Sequence, residues 1–322
     1  MLIPSRRLGK SELRVSPVGL GCWQFSQGKG FNKYWTVLAD RTIEGIVAAS
    51  LDGGVNWFDT AEAYGSGASE RALARTLQKT GRRPGEVIIA TKWTPVFRTA
   101  GNIPKTIKLR LDGLSPYGID LYQVHSPLFL SSTENIMKAM AVLAKEGRIR
   151  TIGVSNFGAK RMRKAQRSLA DLGIDLVSNQ VRYSLVHRKI ETNGVLETAR
   201  ELGISIIAYS PLDQGVLSGR FHDNPDLVKS LSGPRKYRGF YRRKSLERTR
   251  PVIDILKEIG VRYQATPAQI ALNWLFSFHG ETVVVIPGAT KEGQAVDNAR
   301  SMSFTLMKDE LDHLDRVSQP FL

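Results

Sequence analysis

The chain has 322 residues, of which 42% are hydrophobic and 24% are charged. This balance is typical of a soluble globular protein with a large core, and the length suits one barrel of alternating strands and helices. No segment approaches the ~20 apolar residues that a membrane-spanning helix needs. Residues 1–10 lack the apolar stretch of a secretory signal, so we expect a cytoplasmic protein.

Cysteine and histidine usage gives no indication of a metal site. Cys22 is the only cysteine, which excludes an intrachain disulfide and a cysteine-based zinc site. The five histidines are scattered along the chain and form no H-E-x-x-H pair. We therefore expect chemistry without a metal.

The net charge is +16, from 46 Lys and Arg against 30 Asp and Glu. Such an excess can attract nucleic acid, anionic membranes or phosphorylated cofactors. Two basic clusters stand out: Lys160–Arg167 is interpreted as the exposed face of a helix, and Arg235–Arg250 as a loop that runs into a helix. Because the remaining charge is spread over several helices and loops, and no nucleic-acid-binding module is evident, we expect neither nucleic-acid nor membrane binding.

Short apolar segments alternate with amphipathic segments along the chain. The apolar segments are hydrophobic on both faces, as parallel strands buried within a barrel are. The predicted strands are Val18–Gly21, Asn56–Asp59, Val87–Thr91, Asp120–Val124, Arg150–Val154, Leu176–Val181, Ser205–Tyr209 and Val283–Ile286. The predicted helices are Arg41–Leu51, Ser69–Gln78, Pro104–Leu114, Thr133–Lys145, Ala159–Ala170, Lys189–Glu201, Leu246–Ile259, Pro267–Phe276 and Glu292–Ala299.

This alternation predicts an α/β fold, a closed (β/α)8 TIM barrel rather than an open doubly wound sheet. The residues before Val18 are predicted to form an antiparallel β-hairpin that caps the barrel bottom, and Thr305–Val317 to form a C-terminal helix. No linker rich in Pro, Gly and Ser divides the chain. We therefore expect residues 1–322 to form a single domain.

Ionisable residues follow three consecutive predicted strands. Asp59 ends the second strand with Tyr64 five residues later, Lys92 follows the third strand, and His125 follows the fourth. In a parallel barrel, the C-terminal ends of the strands meet at one mouth. These four side chains are therefore expected to face one another, in an arrangement that suits the reduction of a carbonyl group.

Tyr64 is the candidate acid, because carbonyl reduction by hydride needs a group that protonates the developing alkoxide. A free tyrosine has a pKa of ~10, and a nearby Lys92 ammonium is expected to lower that pKa. Asp59 would keep Lys92 charged, and His125 would hydrogen-bond the substrate oxygen. In the alternative interpretation, Asp59 and Lys92 form only a structural ion pair and His125 is a rim residue; their joint placement favours catalysis.

The later strands end in groups that suit a dinucleotide. Gly19-Leu20-Gly21 lacks the third glycine of the Rossmann motif, so no Rossmann unit is expected. Ser155, Asn156 and Gln180 offer hydroxyl and amide groups that suit a nicotinamide carboxamide, although Ser155 or Asn156 could instead cap the next helix. After the eighth strand, Gly288-Ala289-Thr290 leads into a helix whose N-terminus would attract a phosphate.

Two further groups of residues complete the expected site. The loop after the seventh strand would approach a pyrophosphate through its backbone N–H groups, and side chains in the first turns of the last barrel helix would reach the adenosine. These cofactor candidates are Ser210, Pro211, Leu212, Gln214, Gly215, Thr290, Gln294, Asp297 and Asn298. The candidate walls of an apolar substrate pocket, suited to an aromatic aldehyde, are Trp23, Trp93, Phe97 and Phe129.

In order and over nearly the whole chain, the sequence resembles the aldo-keto reductase superfamily. The segments that carry the resemblance are Gly54–Glu70, Val87–Trp93, Ile119–Pro127, Gly147–Phe157, Asn179–Arg188, Ile206–Phe221 and Val283–Asn298. The resemblance implies an NAD(P)H-dependent reductase with the catalytic tetrad Asp59, Tyr64, Lys92 and His125. His125 favours carbonyl reduction, since the steroid double-bond reductases of the superfamily carry a glutamate there.

The resemblance also implies contacts to the nicotinamide. Ser155, Asn156 and Gln180 would hold its carboxamide, and Tyr209 would stack on its ring. The alternative function is a regulatory subunit that keeps the cofactor and acts through a protein partner, as potassium-channel β subunits do. The complete tetrad favours an enzyme with a small-molecule carbonyl substrate.

Within the superfamily, the chain resembles the branch of bacterial long-loop reductases and potassium-channel β subunits. Gly288 and Gln294 stand where many other reductases place a lysine and an arginine around the 2′-phosphate of NADPH. In this branch, basic residues of the loop after the seventh strand assist, and Arg235 and Lys236 occupy that loop, with Lys291 near the last barrel helix. NADPH is therefore the expected cofactor, with NADH as the alternative.

Overall fold

Eight parallel strands close into a barrel. The computed structural model describes residues 5–28, 34–231 and 233–322, without the side chains of residues 233 and 234. An antiparallel hairpin precedes the barrel, formed by β1 (Arg6–Arg7) and β2 (Arg14–Val15). The barrel strands are β3 (Leu20–Gly21), β4 (Trp57–Asp59), β5 (Ile88–Trp93), β6 (Leu121–Val124), β7 (Thr151–Ser155), β8 (Leu176–Arg182), β9 (Ser205–Tyr209) and β10 (Val283–Ile286).

The strands pair in chain order from β3 to β10, and each pair is parallel. Bridges between Val18 and Val285 and between Gly21 and Gly288 join the first and last strands. The predicted (β/α)8 TIM barrel with its N-terminal hairpin is therefore confirmed. Residues 1–4, which belong to the segment predicted to lack a secretory signal, lie outside the described residues.

Helices surround the barrel. They are α1 (Asp40–Asp52), α2 (Ala68–Lys79), α3 (Asn102–Leu114), α4 (Thr133–Lys145), α5 (Ala159–Ala170), α6 (Val195–Leu202), α7 (Arg220–Asp223), α8 (Arg243–Tyr263), α9 (Pro267–Phe278), α10 (Glu292–Arg300) and α11 (Lys308–Ser318). The last of these is the predicted C-terminal helix. Within the described ranges, no helix has both the length and the apolar character required to cross a bilayer.

One predicted helix, Lys189–Glu201, is wrong in its first half. Only a short 3-10 turn covers Lys189–Glu191, and α6 begins after Gly194. Gly194 has a φ of +80°, a left-handed conformation that a right-handed helix cannot contain. The amphipathic pattern continues across this glycine, which is why the periodicity alone extended the helix too far.

Alternation along the strands separates the barrel interior from the layer between barrel and helices. On β5, Ala90 packs into the interior, whereas Ile89 and Trp93 pack outward against the helices. Lys92 lies between Thr91 and Trp93 and therefore points inward. The strand thus directs a charged side chain to the axis of the barrel and an indole ring away from it.

The hairpin closes the bottom of the barrel. Leu8, Leu13 and Val15 join the interior cluster of the barrel, which includes Trp57 and Leu121. The indole of Trp57 donates a hydrogen bond of 2.9 Å to the carbonyl of Ser16 at the end of this hairpin. Apolar side chains therefore fill most of the lower barrel, and the Asp59–Lys92 pair lies toward the opposite end, where the strands terminate.

We predict that Leu121→Ala destabilises the protein by about 2–5 kcal/mol, because Leu121 is fully buried inside the barrel and its removal leaves a cavity. The measurement is denaturant unfolding followed by far-UV circular dichroism. Leu109→Ala is the matched control, since Leu109 is 59% exposed on α3, and we expect a change within about 0.5 kcal/mol. Equal losses in the two variants would contradict the proposed packing of the interior.

Candidate active site

A fully buried ion pair lies where β4 and β5 end. The Lys92 ammonium donates to the Asp59 carboxylate and, at 2.8 Å, to the carbonyl of Thr60. The second carboxylate oxygen of Asp59 accepts from the side-chain amides of Gln123 at 3.1 Å and Gln180 at 2.8 Å. Burial alone lowers the pKa of Lys92, but Asp59 and Tyr64 outweigh it, so the pKa lies above its usual value and Lys92 stays charged.

Gln123 is a member of this site that the sequence analysis missed. Its side chain is fully buried and donates to Asp59 from β6. The strand alternation that points Leu121 into the barrel also points Gln123 inward, two residues later. The available signal was a polar residue two positions after an interior leucine on the same strand. Such a residue lies on the same face of the strand, nearer the mouth.

Tyr64 lies beside the ammonium of Lys92. The Nζ atom is 3.4 Å from the Tyr64 hydroxyl and 4.9 Å from the centre of its ring. Burial raises the pKa of Tyr64, and although Lys92 acts in the opposite direction, the net shift is upward. The prediction of a lowered Tyr64 pKa is therefore wrong for the protein alone. Desolvation raises this pKa more than the charge of Lys92 lowers it. Tyr64 consequently carries its proton throughout the neutral pH range.

His125 faces the same point from the end of β6. Its ring lies 5.7 Å from the ring of Tyr64 in an edge-on arrangement. Burial, assisted by the charge of Lys92, lowers the pKa of His125 to about 3. The imidazole is therefore neutral at physiological pH and has one N–H to donate. Asp59, Tyr64, Lys92 and His125 meet at one mouth, as their positions at the strand ends predicted.

The groups proposed for a carboxamide lie next to His125. Asn156 donates to the Ser155 hydroxyl at 3.0 Å and accepts from the Tyr209 hydroxyl at 3.0 Å, while Ser155 donates to the carbonyl of Gln180 at 2.9 Å. Helix α5 is capped at Gly158 with no side-chain hydrogen bond. The alternative in which Ser155 or Asn156 caps this helix is therefore wrong.

The loop after β9 crosses the mouth on the other side. Ser210, Gln214 and Gly215 adopt positive φ values of 52°, 57° and 95°. The hydroxyl of Tyr34 donates to the Gln214 side chain at 2.6 Å, and that of Tyr241 donates to its backbone carbonyl at 2.9 Å. Two tyrosines thus hold the left-handed turn in place. Pro211 is buried and Leu212 half-buried behind it.

Arg235 lies over this turn in an unusual environment. It is 9% exposed, and its guanidinium lies 4.1 Å from the ring of Trp35. Among the described residues, no carboxylate pairs with Arg235; its Nε atom has no hydrogen-bond partner, and one terminal N–H donates to the Tyr241 hydroxyl at 3.4 Å. The buried cation is therefore stabilised by an aromatic face and retains donors for an anion. Lys236, by contrast, is exposed and lies over the ring of Tyr237.

The segment that follows β10 approaches the loop after β3. A Cβ atom on Gly288 would lie 2.2 Å from the amide of the Gln24 side chain, so a larger residue there would have to displace that amide. Gln294 accepts from the backbone of Thr290 at 2.8 Å. The remaining residues proposed for the phosphates and the adenosine come next in the chain. Lys291 directly precedes α10. Asp297 accepts a hydrogen bond from Gln269 at 3.2 Å, and Asn298 donates to the Gly288 carbonyl at 3.5 Å.

Three of the four predicted pocket aromatics lie on loops at the mouth. Trp23 stacks on Tyr34 at 4.9 Å and lies 6.2 Å from Tyr64, and Phe97 is 87% exposed. Phe129 is half-buried on the loop after β6. Trp93 was predicted wrongly as a pocket wall: it is fully buried between barrel and helices, and its indole donates to Asn102.

Comparison with known proteins agrees with this architecture. Residues 17–319 match the model of the aldo/keto reductase family, and the chain belongs to this family. An oxidoreductase of Mycobacterium tuberculosis is 37% identical over 309 residues, covering 96% of this chain and 91% of that relative. An aldo-keto reductase of Schizosaccharomyces pombe, named with NADP(+), is 27% identical over 321 residues, covering 95% and 88%.

A solved structure extends the comparison. The crystal structure of a thermostable aldo-keto reductase, determined with the inhibitor epalrestat, matches with a TM-score of 0.76 at 25% identity and covers 98% of this chain and 99% of that one. The family and these relatives support an oxidoreductase that acts on carbonyl compounds with a nicotinamide cofactor.

We predict that His125 does not titrate between pH 5 and 8, because burial and Lys92 lower its pKa to about 3. The measurement is NMR of protein with isotope-labelled histidine, in which the signal lost in His125→Asn identifies the residue. Its ring shifts are expected to stay constant over this pH range. A midpoint near pH 6.5 would show that the imidazole is solvated and would contradict the assigned neutral form.

Proposed function

We propose that this protein reduces aldehydes or ketones to alcohols with NAD(P)H, with Tyr64 as the general acid. The observation that carries the proposal is the contact of the protonated Tyr64 hydroxyl with Lys92, whose ammonium is buried and held by Asp59. His125 borders the same space with a neutral ring. A carbonyl oxygen placed there would meet a proton donor and a hydrogen-bond donor together.

A bound nicotinamide supplies the hydride, and the side chains handle the proton. As negative charge develops on the substrate oxygen, the Tyr64 O–H bond breaks and its proton moves to that oxygen. The phenolate that remains is stabilised by Lys92 at 3.4 Å. The neutral His125 ring donates to the substrate oxygen and orients it before transfer. Asp59 keeps Lys92 charged, so removal of either partner would leave an unpaired buried charge.

The residues around the mouth fit a nicotinamide dinucleotide. Ser155, Asn156 and Gln180 would hold the carboxamide, and Tyr209, bonded to Asn156, would stack on the ring. The left-handed turn at Gln214 and Gly215 and the N-terminus of α10 would receive the phosphates.

NADPH is the preferred form in this proposal. Arg235 is a buried cation with no carboxylate partner among the described residues, which favours an additional phosphate. Lys236 and Lys291 are exposed basic groups near the same end of the site. A relative named with NADP(+) supports the same choice.

The exposed Phe97 and half-buried Phe129 favour apolar or aromatic carbonyl substrates.

Mixing the protein with NADPH and 4-nitrobenzaldehyde, and following nicotinamide absorbance, tests the proposed reaction. We predict that Tyr64→Phe lowers kcat at least about 100-fold, because the ring stays in place while the proton donor is lost. NADPH affinity, measured by fluorescence quenching, should change less than about threefold. Equal loss of binding and turnover would make Tyr64 structural, and no NADPH oxidation by the wild-type protein over a broad aldehyde and ketone panel would refute the reductase.

We predict that Arg235→Ala weakens NADPH binding about 10- to 100-fold while changing NADH binding much less, since a charge-assisted contact to one phosphate is lost. Titration of both cofactors measures the ratio. Arg243→Ala is the matched control, because Arg243 belongs to the same basic cluster but its side chain is 93% exposed and pairs with Glu247. An unchanged NADPH-to-NADH ratio would remove Arg235 from the 2′-phosphate site.

A further inference from the structure

Behind the tetrad lies a buried network of charges that the proposed reaction does not use. Glu62 accepts from Arg98 at 2.5 Å and lies 3.5 Å from Arg110, and Arg110 lies 2.9 Å from Glu70. Glu70 in turn accepts from the Thr91 hydroxyl at 2.6 Å. The side chains of Glu62, Arg110 and Glu70 are 12%, 6% and 0% exposed. Such a chain is costly to bury unless its geometry is well satisfied.

Glu62 occupies the turn that carries Tyr64. Its backbone N–H donates to the Lys92 carbonyl at 3.2 Å, and its carbonyl accepts from Gly67 at 3.0 Å. Its carboxylate accepts from the backbone N–H of Thr94 at 3.0 Å. Both ends of this one residue therefore attach the turn of Tyr64 to the strand and loop that carry Lys92.

The carboxylate of Glu62 also has contacts outside its pairing with Arg110. Burial raises the pKa of Glu70 to about 7, although Arg110 and Thr91 oppose the shift. The contacts of the Glu62 carboxylate with Thr94 and Arg98, at the start of the next loop, do not involve Glu70.

We propose, building on the proposed reductase activity, that Glu62 is a positioning residue for proton transfer: it holds the Tyr64 hydroxyl against Lys92 by binding Thr94, Arg98 and Arg110. It touches neither the substrate space nor the reacting atoms. Its effect is to fix the separation of donor and ammonium, to which general acid catalysis is sensitive, since a displacement of about 1 Å can cost about 100-fold in rate.

The direct test is Glu62→Gln, which keeps the shape of the side chain and removes its charge. We expect kcat to fall about 10- to 100-fold, with little change in the affinity for NADPH. The size of the fall in kcat should depend on the substrate, because an electron-rich carbonyl depends most on protonation by Tyr64. In the variant, 4-methoxybenzaldehyde should therefore lose at least about threefold more rate than 4-nitrobenzaldehyde, and the solvent isotope effect on kcat should rise.

Glu86→Gln is the matched control. Glu86 also accepts from one backbone N–H, that of Arg83, and from the Arg83 guanidinium, but it lies just before β5, at the opposite end of that strand from Lys92. Its replacement should leave kcat and the order of the two aldehydes unchanged. A uniform loss for both aldehydes in Glu62→Gln, or no loss at all, would overturn the positioning role.

Arg98→Met provides a second variant if Glu62→Gln does not fold. Arg98 is 35% exposed, so its removal disturbs the core less, while it removes the shorter of the two arginine contacts to the same Glu62 oxygen. We expect the same preferential loss with 4-methoxybenzaldehyde, at smaller size, and a loss that is absent or equal for both aldehydes would again overturn the proposal. The wild-type assay tests the proposed reductase activity separately. If the wild-type protein oxidises NADPH with these aldehydes, an unexpected result in the variants counts against the positioning role and not against the reductase.

Discussion

The buried ion pair of Asp59 and Lys92 is the interaction on which the arrangement of the mouth depends. Two opposite charges that are buried away from water are stable only when they pair with each other and each also has further hydrogen bonds. Gln123 and Gln180 supply these bonds to Asp59, and the Thr60 carbonyl supplies one to Lys92. Side chains from β4, β5, β6 and β8 are therefore tied to one point. The positions of these strand ends are coupled, and with them the positions of the groups proposed for proton transfer.

The barrel makes this coupling possible because it separates apolar from polar contents along one axis. Trp57 and Leu121 fill the lower interior above the hairpin, whereas Lys92 and Gln123, each further along its strand, reach the upper end. Alternation places each of these side chains inward without any special backbone geometry. Conformations that cost more, such as the left-handed Asn156 and Ser210, lie in loops after the strands, where no ladder has to be continued.

This division explains how much the sequence could predict. Apolar segments separated by amphipathic ones predicted the eight strands, and residues at strand ends predicted that Asp59, Tyr64, Lys92 and His125 meet at one mouth, because both depend on local periodicity. Periodicity failed at Gly194, where a single backbone angle ends the predicted helix. It also failed at Trp93, whose side chain points toward the helices instead of the pocket. The net pKa shift of Tyr64 was also beyond a sequence argument, since desolvation depends on packing from the whole mouth.

The contacts of Arg235 required the folded chain for a different reason. Trp35 and Arg235 lie far apart in sequence, and their cation–π contact joins the loop after β3 to the loop after β9. Arg238 lies in the same way over Tyr34 at 5.5 Å. Each guanidinium also donates to one tyrosine hydroxyl, Arg235 to Tyr241 and Arg238 to Tyr34. An aromatic face stabilises the cation without occupying its other in-plane N–H groups, which a carboxylate partner would take. These loops therefore hold cations at the mouth in a form that suits the proposed phosphate site, beside the Asp59–Lys92 pair, whose charges already balance each other.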